Sequence, residues 1–267
     1  SKYGDYHLSL NCMKICILMK QVASEDSTLI INDNQSDVVL NGLNLVTNEP
    51  DNYALEEGLS IKEDTSGEVV ICTLGPDSCQ QVIKDSLAKG ADRAIHITTD
   101  NSSQLSPLNI SKIIAENIRE ENFDIILSGL QSNDYGYAQI GIILSELLNY
   151  SHASLVIGTE IINDKTLKVK RELENGWFQW SEIDLPTSLS IQSGINNPRY
   201  ATLKGIMSVK NKPIKKLENK SENLNNGYTL KDLYIPKKSK DVQVIEGNTD
   251  DVVNEIIDVL KNKIKVI

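Results

Sequence analysis

"FDIILSGLQSNDYGYAQIGIILSELL", residues 123–148, passes from a strand signal through a polar turn into a helix. Phe123–Leu127 is mostly apolar, as expected of a strand covered on both faces. From Ile140 onward, Ile143, Leu144, Leu147 and Leu148 recur at helical period. Between them stand Ser128, Gly129, Gln131, Ser132, Asn133, Asp134, Gly136 and Gln139, which have little to bury. A strand that enters a helix through so short a turn is half of a β-α-β unit.

The same alternation extends upstream. "KICILM" (Lys14–Met19), "EVVICTL" (Glu68–Leu74) and "ADRAIHIT" (Ala91–Thr98) read as buried strands. A helix begins near Pro50 and Asp51, with Leu55 and Leu59 one turn apart. Another carries Val82, Ile83 and Leu87 and stops at Gly90. A third opens at Ser106-Pro107, with Ile110, Ile113, Ile114 and Ile118 as its stripe. "DVVLNGLNLV" (Asp37–Val46) predicts a short hairpin turning at Asn41-Gly42. The fold class is therefore α/β: a mostly parallel twisted sheet with helices on both faces.

Past Ser151 the pattern changes. "ASLVIGTEII", "TLKVKREL", "WFQWSEI" and "TSLSIQS" are strand-like, with "NDK" and "ENG" as turns. They predict antiparallel strands added to the same sheet, or a small flap. Lys210–Lys240 is rich in Lys, Asn and Pro and cannot form a core alone. The chain ends in an amphipathic helix marked by Val252, Val253, Ile256, Ile257 and Leu260. This divides the chain into an α/β nucleotide-binding domain, 13–209, and a C-terminal arm and helix, 210–267. The arm either wraps another protein or returns its helix to the sheet. Residues 1–12 read as a leader or expression remnant, with Met13 a natural start.

Net charge is −10, which disfavours nucleic-acid binding over the whole surface. No apolar run approaches the ~20 residues of a membrane helix. The four cysteines, Cys12, Cys16, Cys72 and Cys79, form no CxxC and no zinc spacing, as expected of reduced thiols in a cytoplasmic protein. His7, His96 and His152 sit in no metal or triad pattern, so no metal site and no catalytic acid, base or nucleophile is expected. Trp177, Phe178 and Trp180 suggest an interface.

In an open parallel sheet, ligands sit outside the carboxyl ends of the strands. A helix starting near Tyr137 would present free N–H groups there, and Gly129, Gly136 and Gly141 would allow close approach. That is a phosphate seat. The competing reading makes Asp134 a turn former and Gln139 a solvated helix residue. GxxxxGK[ST] and GxGxxG are both absent. Thr47–Asn52 and Thr73–Pro76 lie at neighbouring strand ends, and the convergence of three such loops favours an adenine-nucleotide pocket.

The chain also resembles the β (small) subunit of electron transfer flavoproteins from about Met13 to its end. The resemblance rests on "KQV" after the first strand, on "NYALEEGLSIKE", on "LGPDSCQQVIKDSLAKGADRAIHI" and on the polar turn. Its most specific mark is "INNPRYATLKGIMSVKNKPIKK" (Ile195–Lys216). "GLQSNDYGYAQIG" and "YIPKKSKDVQVIEG" are similar to the type that serves trimethylamine and related amine dehydrogenases in methylotrophic bacteria.

The resemblance implies an electron carrier rather than an enzyme: a heterodimer in which an α subunit holds most of an FAD and this chain binds a structural AMP. The implied AMP pocket comprises Leu18, Asn48, Glu49, Pro50, Asp51, Leu74, Gln131, Ser132, Asn133, Asp134, Tyr135, Gly136, Tyr137, Ala138, Gln139, Ile140, Gly141 and Ile142. It implies a recognition loop, 194–206, in which Pro198, Arg199, Tyr200 and above all Leu203 dock a flavin-dependent dehydrogenase. A membrane quinone oxidoreductase would be the acceptor, with no membrane insertion by this chain. Lys210–Lys216 would steer acidic partners. Many members carry three aspartates where this chain has Asp134, Tyr135 and Gly136, and Ile140 replaces a common threonine. Two alternatives stand beside this reading: a bifurcating type with a second FAD in this subunit, and a stand-alone adenine-nucleotide-binding regulatory domain.

Overall fold

A computed structural model describes residues 12–100, 105–219, 224–236 and 242–267. His7, with the rest of residues 1–11, and residues 220–223 and 237–241 of the expected arm lie outside the described residues. The chain divides into two compact units, Ser1–Lys231 and Asp232–Ile267.

The first unit is built on one sheet. β1 (Lys14–Leu18) lies between β4 (Glu68–Gly75) and β6 (Ile125–Gly129), paired in parallel with both. Beyond β4 come β5 (Arg93–Thr98) and β11 (Ile214–Glu218). Beyond β6 come β10 (Thr187–Ile191), β7 (Ser151–Asn163), β8 (Thr166–Glu172) and β9 (Phe178–Asp184). Among the described residues of this sheet, every pairing from β11 to β7 is parallel, and β7–β8 and β8–β9 are antiparallel. The short strands β2 (Gln21–Ala23) and β3 (Leu45–Thr47) form a separate antiparallel pair.

Both faces of the central strands are covered, which is why they read as unbroken apolar runs. Ile15, Ile17, Val69 and Ile71 pack beneath α1 (Glu49–Thr65) and α2 (Gln80–Lys89), against Leu55, Leu59, Val82, Ile83 and Leu87. The alternate positions, Cys16, Val70, Cys72 and Ile126, pack beneath α3 (Pro107–Ile118) and α4 (Ile140–Leu148). Cys16, Cys72 and Cys79 are buried and all four cysteines are free. α1 packs on one face of the adjacent parallel strands β1 and β6 and α4 on the other, and the carboxyl edge between two such strands is where ligands sit in an open sheet.

Four sequence readings need correction. Asp37–Val46 is not a hairpin: Val38 bridges to Ile31 and Leu45–Thr47 pairs with Gln21–Ala23, although the chain does turn at Asn41-Gly42. "TSLSIQS" is no part of an antiparallel addition, because β10 runs parallel between β6 and β7. Its polar positions, Thr187, Ser188 and Ser190, are buried rather than solvated. Thr187 and Ser188 donate to the Ser151 and Gly141 carbonyls. α4 begins at Ile140 rather than near Tyr137, since Gly136 (φ 61°) and Ala138 (φ 53°) are left-handed and cannot continue a helix. Finally, the sheet extends past residue 209 through β11, whose side chains are exposed or half-exposed.

α5 (Leu203–Ser208) packs on α2 within this unit. The second unit contains α6 (Thr249–Asp258), capped by Asn248, and a π-helical turn over Val259–Ile264. α6 has no buried residue, and Val253, Ile256 and Ile257 are all exposed. Among the described residues no helix is long and apolar enough to cross a membrane.

Candidate functional site

The polar turn 130–139 stands at the β1–β6 crevice and is held there by the start of α1. Asn48, the residue before α1, is 1% exposed, yet its side chain does not cap its own helix. Instead its Nδ2 donates to the Gln131 carbonyl (3.0 Å) and its Oδ1 accepts from the Asn133 amide (2.9 Å). Asp51, one turn along, is also buried and accepts from the Lys20 amide (2.8 Å) and the Gly129 amide (3.1 Å). Burial pushes the Asp51 carboxyl up to about 7, against the pull of those amide donors. Gly129 must lack a side chain: a Cβ there would lie 2.5 Å from Asp51 Oδ1 and 2.7 Å from Pro50.

Within the turn, Gly136 N donates to the Ser132 carbonyl (2.9 Å) and Tyr135 N to Asp134 Oδ1 (2.8 Å). The rings of Tyr135 and Tyr137 stack 5.5 Å apart. Lys20 Nζ pairs with Asp134 (2.6 Å) and lies 4.7 Å from the Tyr135 ring centre. Lys20 is a site residue that the sequence reading missed, although it heads the "KQV" run directly after β1. Burial pushes the Tyr135 phenol up to about 12, helped by nearby Asp37 and Asp134.

Gln131, Asn133, Asp134, Tyr135, Gly136, Tyr137, Gln139 and Ile142 are exposed, whereas Gly141 is buried. Gln139, which precedes α4, makes no side-chain cap bond. The amides of Ile140, Gly141 and Ile142 precede the first intrahelical bond, from Ile143 N to the Gln139 carbonyl (3.0 Å). Gly141 lets this first turn sit on β6 and β10, since a Cβ would come within 2.6 Å of Ser190 Oγ and 3.0 Å of Ser128 Oγ. An uncapped helix start beside exposed amide side chains and Lys20 suits an anion. Leu18 and Leu74 lie at the ends of the neighbouring strands β1 and β4, packed into the α3–α4 layer. Glu49 also lines a 300 Å³ groove with Val22, Ser24, Glu25, Thr47 and Asn133.

The Pro198–Leu203 group is not part of this crevice. Its contacts are farther along α1: Asn196 Nδ2 donates to the Tyr53 carbonyl (3.1 Å) and to Glu57 (3.0 Å). Arg199 pairs with Glu56 (2.9 Å) and Glu63 (2.6 Å). Hydrogen bonds to Glu56 and Glu63 raise the Arg199 pKa and lower that of Glu63. Tyr200 and Leu203 are 92% and 75% exposed. Among the described residues no group of His, Cys, Asp and Glu could hold a metal ion.

Comparison with known proteins agrees with this architecture. The electron transfer flavoprotein domain matches residues 37–222. The chain is 34% identical over 259 residues to the electron transfer flavoprotein subunit beta of Methylophilus methylotrophus, covering 93% of this chain and 98% of that protein. It is 32% identical over 266 residues to the mitochondrial subunit beta of Arabidopsis thaliana, covering 96% and 100%. The human subunit beta is 30% identical over 205 residues, covering 76% and 80%. With the match spanning the sheet, the crevice turn and the Arg199 loop, the chain belongs to the electron transfer flavoprotein family, as a β subunit close to the methylotroph type.

Proposed function

We propose that this chain binds AMP in the β1–β6 crevice, completes the FAD site of an α subunit, and docks a flavin-dependent dehydrogenase through the Leu203 loop. The observation that carries the nucleotide reading is the uncapped start of α4. Its first amides follow directly on a turn whose position is fixed from α1, which supports preorganised donors. The phosphate of AMP would take the Ile140–Ile142 amides, with Lys20 supplying positive charge at the rim. Asn133, Asp134, Gln131 and Gln139 would offer polar contacts to the ribose and base.

The FAD, when bound, takes up and releases the electrons. This chain's residues contribute shape, docking and assembly, with no general acid, base or nucleophile among them. The apolar stripe Val253, Ile256, Ile257 along α6 supports the arm's role as a clasp on the α subunit. Electrons would pass from the dehydrogenase through the heterodimer to a membrane quinone oxidoreductase, in the cytoplasm.

Titrating nucleotide-stripped αβ heterodimer with AMP tests the pocket. Wild type should bind one equivalent, and Gly141→Val, which drives a side chain into Ser190 and Ser128, should abolish binding. Full binding by that variant would remove the α4 start from the site.

A further inference from the structure

We infer that Arg199 is a positioning residue: it fixes the docking loop from behind and leaves contact with the dehydrogenase to Leu203 and its apolar neighbours. This rests on the docking reading proposed above. The guanidinium has five N–H donors. Nε and Nη2 go to the two oxygens of Glu56 (2.9 Å each) and Nη1 goes to Glu63 (2.6 Å). Nη2 also reaches the second oxygen of Glu63 (3.4 Å), and the Arg199 amide donates to Glu56 (3.0 Å). Little of the fork is left for another protein. The Glu56 side chain is only 14% exposed, so the pair is sheltered from solvent screening.

The other end of the segment is fastened too. Gly205 sits on the Ala88 carbonyl at the end of α2, where no Cβ would fit. Lys212 Nζ donates to the Leu87 and Ala91 carbonyls (2.8 and 2.6 Å). Thr202 caps α5 by accepting from the Gly205 amide (3.0 Å). Between the two fastenings Tyr200, Leu203, Ile206 and Met207 are left exposed. A loop of this length would collapse such side chains onto the nearest apolar surface unless its ends were held. Preorganisation lowers the ordering cost of docking, and Arg199 provides it at the amino-terminal end.

Hydrogen exchange on the αβ heterodimer decides the positioning claim. In Arg199→Gln, amides of 202–208 should exchange at least ~10-fold faster than in wild type, with the central strands unchanged. Glu56→Gln/Glu63→Gln should reproduce the effect, and Arg199→Lys should recover part of it, since lysine keeps the charge without the fork. Unchanged exchange in 202–208 would overturn the inference. Electron transfer from trimethylamine dehydrogenase, used as donor, tests the reading beneath it. Arg199→Gln and Leu203→Ala should each raise KM with kcat little changed, and the double variant should lose clearly less than the sum of the two. Additive losses would mean that Arg199 touches the donor and would overturn the inference. An unaltered KM in Leu203→Ala alone would instead remove the docking role of the loop, while the exchange data still decide whether Arg199 orders it.

Discussion

Two loops hang from the same helix, and they are held in opposite ways. The 130–139 turn is tied to the first turn of α1 by Asn48 and Asp51, through its backbone, and most of its own polar side chains stay exposed. The 194–206 loop is tied farther along α1 by its side chains Asn196 and Arg199, and leaves apolar groups exposed instead. A nucleotide site needs hydrogen-bonding groups that a ligand can reach, even where some, such as Asp134 with Lys20 and Asn133 with Glu25, have protein partners. A docking loop needs the reverse, with polar groups internally satisfied and apolar ones presented. The contrast supports the nucleotide and docking roles proposed for the two loops.

Breaking the docking side should have the largest effect on electron transfer. Leu203→Ala should weaken dehydrogenase docking by about 2 kcal/mol, or ~30-fold, with FAD content unchanged, as read by KM in steady-state transfer. On the other side, Gly129→Ala should cost about 1–3 kcal/mol by forcing the turn away from Asp51 and Pro50. A urea midpoint measures that cost, and AMP retention should fall with it. Normal stability in this variant would mean that the anchoring of the turn is looser than the geometry shows.

Asp51 adds a pH signature. Its folded pKa, about 7, lies above the unfolded carboxyl value, so the folded state binds the extra proton. The stability it contributes is present at about pH 4 and is lost as pH rises through 7. Asp51→Asn should flatten that slope in melting curves. It should also destabilise the protein modestly, because an amide cannot accept from both Lys20 N and Gly129 N with its two heads. A slope retained in the variant would place the titration elsewhere. The smallest change is expected from Ile140→Thr: a hydroxyl added at the start of α4 should tighten AMP by about 1 kcal/mol in calorimetry.

Most of the central sheet was legible because its strands are covered on both faces and therefore apolar throughout. β10 was misread for a physical reason. Thr187, Ser188 and Ser190 alternate with Leu189 and Ile191 like a half-solvated strand, yet Ser188 and Ser190 lie beneath Gly141 of α4. β11 stayed hidden because an edge strand with Lys215, Lys216 and Glu218 facing solvent carries too weak an apolar signal. At the site, the glycines and amides of 129–141 and the Thr47–Asn52 strand end were read from sequence as one pocket, and the structure brings Asn48 and Asp51 against that turn. Asn48 and Asp51 were read as ligand residues and their holding of the turn did not show, nor did the Glu56–Arg199 pair, since Asn48 lies 83 positions from Gln131 and Glu56 lies 143 from Arg199. Pairing across such separations is decided by the sheet order, which brings β1 beside β6.

Extraction of the purified αβ heterodimer, with nucleotide and flavin counted per complex, decides whether this chain holds AMP. One AMP and one FAD are expected. Two FAD and no AMP, or a complex in which the crevice yields no nucleotide, would contradict that expectation.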